Sequence, residues 1–285
     1  MAEIAPRTAA ALGKILDEVF GPGATPPARA LDLGAGTGAA GAVLRARFGE
    51  GLDIVSVDKV AAPGILVADL ERGLPADGRS ELGRFDLIVA AHVLNELYAG
   101  RDAEAQSSER AARVLAWCRT LLAVGGTVIL LEPALRETSR ALLSVRDRLL
   151  AAGLHVVAPC FWTGPCPALG RERDWCHDAA KVPSAPRVDF SYLVLRTEPS
   201  AEASTNLYRV VSDRLVEKGR LKIFACGSPG RQALVRLDRV ATEANAEFDR
   251  LERGDAVSIA GPALTAQGDG AQRLSADTKV AKRRA

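Results

Sequence analysis

At 285 residues, 48% of them hydrophobic and 25% charged, the chain is long enough to bury one α/β domain plus an appendage. A formal net charge of +2 excludes the global field that draws strongly basic proteins onto nucleic acid, although the arginines can still cluster locally. No apolar run reaches the roughly 18 residues that span a bilayer, and MAEIAPRTAA lacks the charged-then-apolar order of a secretory signal. The expectation is a cytoplasmic protein with no membrane partner, whose five cysteines, an odd number, serve as thiols rather than disulfides.

Residues 7–20 space Ala11, Leu12, Ile15, Leu16, Val19 and Phe20 as one face of a helix within an N-terminal segment, 1–27, that ends in a Gly/Pro-rich turn. Next comes ALDLGAGTGAAG, Ala30–Gly41, which organises the chain. It reads as a buried strand carrying Asp32 into a glycine turn at Gly34, Gly36 and Gly38, then a helix whose first N–H groups face a ligand. No Gly-Lys-Ser/Thr closes the loop, so it is not a Walker-type phosphate cradle. The glycines fall as G-x-G-x-G rather than the dinucleotide G-x-G-x-x-G, and Asp32 precedes them by two positions. This D-x-G-x-G-x-G form resembles the first motif of class I methyltransferases. A second strand, DIVSVD, ends at Asp58, 20 positions after Gly38, where a carboxylate can accept from ribose hydroxyls.

GILVADL predicts a third strand ending at Asp69, which either takes the adenine amino group or is a solvated loop aspartate. RFDLIVAAHVLNEL predicts a fourth strand, Phe85–Ala90, leading into a polar turn and a helix. Ligands collect at the carboxyl ends of strands in such sheets, so His92, Asn95 and Glu96 are the catalytic candidates. Alternatively, Asn95 and Glu96 simply open the next helix. A helix with a glycine stop (SSERAARVLAWCRTLLAVGG, Cys118 as a small hydrophobe), a strand TVILLEP, an arginine-rich helix over 134–152 with a solvated basic face, and strands LHVVAPC and DFSYLVLRT follow. Together they predict an α/β, Rossmann-like, seven-stranded methyltransferase sheet over 28–198.

Between the last two strands lies a cysteine-rich insert, 159–189, with Cys160, Cys166 and Cys176 within 17 residues. So long an aperiodic stretch needs something to pin it. Cys226, in LKIFACGSPG, is positioned to supply a fourth thiolate. No C-x₂₋₄-C pair occurs, so zinc is the less favoured ion and an iron–sulfur cluster the better fit. His177 is an alternative ligand, and scattered buried thiols are the plain alternative.

LDLGAGTG, AHVLNEL, LLEP, VVAPC, GPCP, DWCH, FSYLVL and FACGSPG occur in the order found in the mitochondrial and bacterial ribosomal small-subunit methyltransferase-like family, which the chain resembles from about residue 28 to about residue 260. The resemblance implies S-adenosylmethionine binding, a 4Fe–4S cluster on Cys160, Cys166, Cys176 and Cys226, and association with small-subunit ribosomal RNA or a precursor particle. The chain departs from the family in having Phe161-Trp162 where Pro-His is usual and Asp178 where an aromatic is usual. The family also carries a longer helical region ahead of the first strand.

Residues 205–262 predict a small β-rich appendage with a basic cast (Arg209, Arg214, Lys218, Arg220, Lys222, Arg231, Arg236, Arg239), and 263–285 a disordered tail. The expected protein is a monomer in which Asp32, Gly34, Gly36, Gly38, Asp58 and Asp69 hold S-adenosylmethionine and a structural cluster joins sheet to appendage. Its rivals are a non-catalytic RNA-binding assembly factor and a small-molecule methyltransferase with a zinc-pinned lid.

Overall fold

The computed structural model describes residues 4–74, 82–182, 185–199, 206–228, 230–261, 265–266 and 271–283. They fall into two compact units, Met1–Ala158 with Ala179–Pro199, and Pro159–Asp178 with Ser200–Arg284.

The first unit is built on α1 (Ile4–Val19), β1 (Arg29–Leu33), α2 (Ala39–Phe48), β2 (Asp53–Asp58), β3 (Ile65–Val67), β4 (Phe85–Ala91), α3 (Ala103–Thr120), β5 (Leu122–Pro133), α4 (Arg136–Ala151), β6 (His155–Ala158), β7 (Asp178–Val182) and β8 (Ala185–Arg196). The sheet runs β3-β2-β1-β4-β5-β8-β6, and β7 adds to β8 off this path. β1 through β5 pair in parallel, and β8 runs antiparallel to both β5 and β6. This is the methyltransferase order, with the strand sequence reversing at β1/β4 and a single antiparallel strand near the far edge. Helices cover both faces, so strands such as β4 read as continuous apolar runs. Leu87 and Val89 pack with Leu12, Ile15, Leu16 and Leu44 of α1 and α2. Ile88 and Ala90 pack with Val114, Trp117, Leu142 and Val145 of α3 and α4. All four β4 side chains are fully buried.

The second unit comprises β9 (Leu207–Val210), β10 (Leu215–Glu217), β11 (Arg220–Gly227), β12 (Gly230–Leu237), β13 (Ala256–Ala260), β14 (Thr265–Ala266), β15 (Gln272–Arg273) and β16 (Lys279–Lys282), with short 3₁₀ turns at Pro167–Gly170 and Glu243–Arg250. Its sheet runs β14-β15-β12-β11-β9-β13-β16, with β10 beside β11. Alternation is clear on β11, where Leu221, Ile223 and Ala225 face a core shared with Val210, Leu234, Phe248 and Val257.

Several expectations are corrected. The tail is not disordered over 271–283: β16 pairs antiparallel with β13 along Val257–Ala260, and Leu274, Thr278 and Val280 are buried. Sparse apolar residues hid these short strands, whose side chains complete a core made elsewhere. Residues 263–264, 267–270 and 284–285 of that tail lie outside the described ones. The insert is divided: Pro159–Asp178 belongs to the second unit, not to the methyltransferase domain, and Asp178–Val182 forms an additional strand, β7. No helix follows β4 directly. Residues 94–100 are turns, and α3 begins only at Ala103, where Asp102 Oδ1 accepts from Ala105 N at 2.8 Å. Asn95 and Glu96 therefore open no helix. Nor is α4 simply a solvated basic face, because Arg146 is buried and paired with Asp147. Finally, β3 ends at Val67, two residues before Asp69.

Candidate cofactor site and cysteine cluster

The carboxyl ends of β1, β2, β4 and β5 assemble the first site. β1 stops where Gly34, Gly36 and Gly38 all take positive φ (71°, 51° and 77°), a region closed to most side-chain-bearing residues. Gly34 N and Ala35 N donate to Val57 O at 2.8 and 3.0 Å, so the loop folds back over the end of β2. A Cβ on Gly34 would stand 2.4 Å from Val93 Cγ2, whereas one on Gly38 would meet nothing within 4 Å. The first glycine is therefore required by packing against the loop after β4, and the third leaves open space at the start of α2. Gly38 caps α2 without a side-chain hydrogen bond of its own, so that the N–H groups of Ala39 and Ala40 face the ligand side while Gly41 N is taken by Asp32.

Asp58 is engaged twice by its own neighbourhood: Oδ2 accepts from Gly36 N at 2.8 Å and Oδ1 from Val60 N at 2.9 Å. Each carboxylate oxygen retains a second lone pair for a hydroxyl donor. The hydrogen bond to Gly36 locks the glycine loop to the acid expected at the ribose. Asp32 turns inward instead. It is buried, and its Oδ2 accepts from Gly41 N of α2 at 3.2 Å, while Oδ1 has no partner among the described residues. Burial raises its pKa from 3.8 to about 6; the Gly41 hydrogen bond opposes this and the Asp58 charge adds to it. Asp69 lies on the turn after β3, its Oδ1 accepting from Glu71 N at 3.0 Å and its side chain half exposed beside Arg72. That is the arrangement of a loop aspartate, although Ala68 N, bonded to Asp58 O at 2.9 Å, keeps the turn next to the site.

The three candidates after β4 part company. His92 has φ 62°, an uncommon and costly conformation for a non-glycine residue. Its N–H donates to Leu131 O at 2.7 Å and its Nε2 lies 3.0 Å from Thr8 Oγ1. Burial lowers its pKa, against the pull of Glu96, so the ring is held neutral. Asn95 presents a buried Oδ1 with no partner among the described residues, and its carbonyl accepts from Arg110 Nη2 at 3.0 Å. Glu96 is exposed and pairs with Lys59 at 3.6 Å, linking the loops after β4 and β2.

One residue escaped the sequence reading. Glu132, in the LLEP stretch at the end of β5, is 1% exposed. Its Oε1 accepts from Leu94 N at 2.8 Å, and its Oε2 has no partner among the described residues. Burial raises its pKa from 4.5 to about 8; the Leu94 and Asn95 N–H groups and the buried Arg110 pull the other way. It braces the turn that carries His92 and Asn95. A single acid closing an apolar strand was the available signal.

The second site lies wholly in the second unit. None of the cysteines is disulfide-bonded. Cys118, in α3 of the first unit, is a buried thiol pushed up to about 11 by burial. Cys160, Cys166 and Cys176 come from the Pro159–Asp178 segment, and Cys226 from β11. Burial is the main cause of a raised Cys176 pKa, followed by the nearby Cys160, Cys166 and Cys226, with Arg231 opposing them. Cys160, Cys166 and Cys226 thus lie near enough to Cys176 for their charge to act on it. Among the described residues, however, no three Cys, His, Asp or Glu side chains are gathered as one metal ion requires. A single zinc ion draws every sulfur to about 2.3 Å from one point. A cube offers a separate iron to each thiolate and holds the sulfurs farther apart.

The segment is fastened around these thiols by local bonds. Trp162 Nε1 donates to Pro165 O at 2.8 Å, Leu169 N to Cys166 O at 3.0 Å, and the Trp175 and His177 rings stack at 4.2 Å. From the sheet, Arg209 donates to Pro159 O at 2.8 Å and lies over the Phe161 ring, while Arg231 pairs with Asp174 at 2.9 Å.

The model of the family described as "Rsm22: Mitochondrial small ribosomal subunit Rsm22" matches residues 2–242. No curated relative matches the chain. Solved structures similar in fold include Aeropyrum pernix fibrillarin with natively bound S-adenosyl-L-methionine (17% identity, 66% of this chain and 75% of that one, TM-score 0.37). They also include TrmN from Thermus thermophilus (17% identity, 67% and 52%, TM-score 0.40), of which the chain spans about half. A third is the plantazolicin methyltransferase BpumL in complex with SAH (9% identity, 69% and 86%, TM-score 0.41).

Proposed function

The chain belongs to the Rsm22 family, described as mitochondrial small ribosomal subunit, and from that premise we propose that it binds S-adenosylmethionine and acts on small-subunit ribosomal RNA or a precursor particle. The observation that carries the reading is the glycine loop: three left-handed glycines held to Asp58 through the Gly36 N–H, beside a helix start whose N-cap is a glycine. Asp58 keeps acceptor capacity for ribose hydroxyls, and Gly38 leaves room for the methionine part to approach the backbone. Asp32 acts indirectly, holding α2 against the loop through Gly41. Asp69 is assigned the adenine edge, and the cytoplasmic setting expected from the sequence keeps the thiols reduced.

The cofactor's sulfonium supplies an already activated methyl group, so the protein's part is to bind, orient and exclude water. The turn after β4 is suited to orienting: it is braced from beneath by Glu132 and Arg110 and tied across by Lys59–Glu96. The same turn supports a second reading, a non-catalytic assembly factor that keeps the fold. His92 is turned inward, its Nε2 engaged by Thr8 and its Nδ1 buried, and the Asn95 amide is not a base, so neither is presented to take a proton from a methyl acceptor. Calorimetry with S-adenosylmethionine tests the binding site. Transfer of labelled methyl to small-subunit precursor particles separates enzyme from assembly factor. No binding at all sinks both the cofactor assignment and the enzyme.

For the second unit we propose a structural 4Fe–4S cluster on Cys160, Cys166, Cys176 and Cys226. The chemistry of the donor set supports it: four thiols from distant positions share one unit, and the other three lie near enough to act on Cys176. Bound there, the cluster would cross-link the Pro159–Asp178 segment to β11 and supply no step of methyl transfer. Iron and acid-labile sulfide in anaerobically purified protein test it; zinc without sulfide would replace the cluster by the single-ion alternative.

A further inference from the structure

Cys226 sits in the middle strand of a three-strand ladder, and the residue opposite it on each side is an arginine: Arg209 on β9 and Arg231 on β12. Directly opposed residues project from the same face of a sheet. Arg209 is fully committed, donating through Nε to Pro159 O and through Nη1 to Gly254 O. Arg231 is different. Its Nη1 lies 2.9 Å from Asp174 Oδ2 without hydrogen-bond alignment, its Cζ lies 5.1 Å from the Phe224 ring centroid, and its Nε is buried with no hydrogen-bond partner among the described residues. A buried guanidinium donor left without an acceptor is costly, and native proteins supply one. Four thiolates outweigh the positive charge of an oxidised cube, so the assembled centre is an anion rich in acceptor sulfurs. Hydrogen bonds to those sulfurs and local net charge set its reduction potential.

We propose that Arg231 is the positioning residue of the cluster, its Nε donating to a cluster or thiolate sulfur beside Cys226 while its head group remains latched to Asp174. The proposal rests on the cluster reading and adds a residue outside the four ligands. Arg231 holds the cluster's potential up, because a cation and an N–H donor favour the more negative reduced form. It is also expected to slow attack by oxygen, because its side chain, over the Phe224 ring, covers the sheet face that carries Cys226.

The test uses full-length protein purified anaerobically as wild type, Arg231→Gln, Arg231→Lys, Asp174→Asn and Lys222→Gln. Iron, acid-labile sulfide, reduction potential and the rate of bleaching in air are measured for each. The expected result is a lowered potential and several-fold faster bleaching in Arg231→Gln, with Arg231→Lys between it and wild type because lysine restores charge but not the Nε donor. Lys222→Gln removes the other cation on the Phe224 ring (5.0 Å) and is expected to match wild type. Wild-type potential and bleaching in both Arg231 variants overturn the proposal while leaving the cluster itself in place. If Asp174→Asn reproduces the full effect, Arg231 acts only through the latch and the proposal falls. Complete loss of cluster from the Arg231 variants supports it when Asp174→Asn retains iron and sulfide, and refutes it when Asp174→Asn loses them too. Wild-type protein without iron and sulfide removes the cluster reading and this inference with it.

Discussion

At the scale of single residues, the glycine loop separates two reasons for the same amino acid. Gly34 needs both a positive φ and the missing Cβ, since Val93 fills that space; Gly38 needs only the φ. Gly34→Ala should therefore cost about 3 kcal/mol, combining backbone strain and overpacking, and Gly38→Ala about 1 kcal/mol. Urea unfolding of the two variants checks the order; equal losses would mean that the Val93 contact is not what excludes a side chain. Glu132 makes a prediction about pH. Its folded pKa is raised from 4.5 to about 8, so between those values the folded state binds the proton more tightly than the unfolded one. Stability contributed by the protonated form is present below that window and falls as pH rises through it, by on the order of a few kcal/mol in total. Asp32, raised to about 6, has the same sign over a narrower range starting at 3.8. Glu132→Gln should flatten most of the slope in chemical denaturation curves measured across the window, and an unchanged slope would show that Glu132 is not the titrating group. Neither behaviour follows from residue type, because an acid at the end of an apolar strand titrates ordinarily until a turn such as Val93–Glu96 closes over it.

At the scale of elements, the strong periodic stretches were readable and the short ones were not. α1, β1, α2, β4 and β5 each bury enough apolar side chain to declare themselves by pattern. β14 to β16 are two to four residues long, and their side chains acquire meaning only in register with partners. Ending the chain after Gly261 removes the β16 partner of β13 together with buried Leu274 and Val280, each worth about 2 kcal/mol of apolar burial. The second unit should then lose its cooperative transition, with amide protons of β13 exchanging far faster than in the full chain. Retained protection on β13 would restore the tail to a dispensable role. The start of α3 illustrates the complementary miss: Asp102 caps it, not Asn95 or Glu96, because the turn carrying those two residues is drawn in by Glu132 and Arg110. Asp102→Ala should cost about 1 kcal/mol in urea unfolding.

At the scale of the whole molecule, Cys160, Cys166, Cys176 and Cys226 belong to the second unit and the glycine loop to the first. Stripping the proposed cluster with chelator under reducing conditions should lower the melting temperature of the second unit while S-adenosylmethionine still raises that of the first. A calorimetric scan in which both transitions shift together would contradict that separation. Sequence alone determined the class of the sheet and the glycine loop with Asp58, and singled out four cysteines as candidate ligands, because those depend on local pattern, backbone freedom and side-chain chemistry. Only the tertiary structure decided that Asp32 is a buried brace, that Glu132 underlies the β4 turn, that Pro159–Asp178 folds with the C-terminal strands, and that Arg209 and Arg231 flank Cys226. Each of those depends on which residues far apart in the chain become neighbours, and burial and strand register exist only once the two sheets have formed.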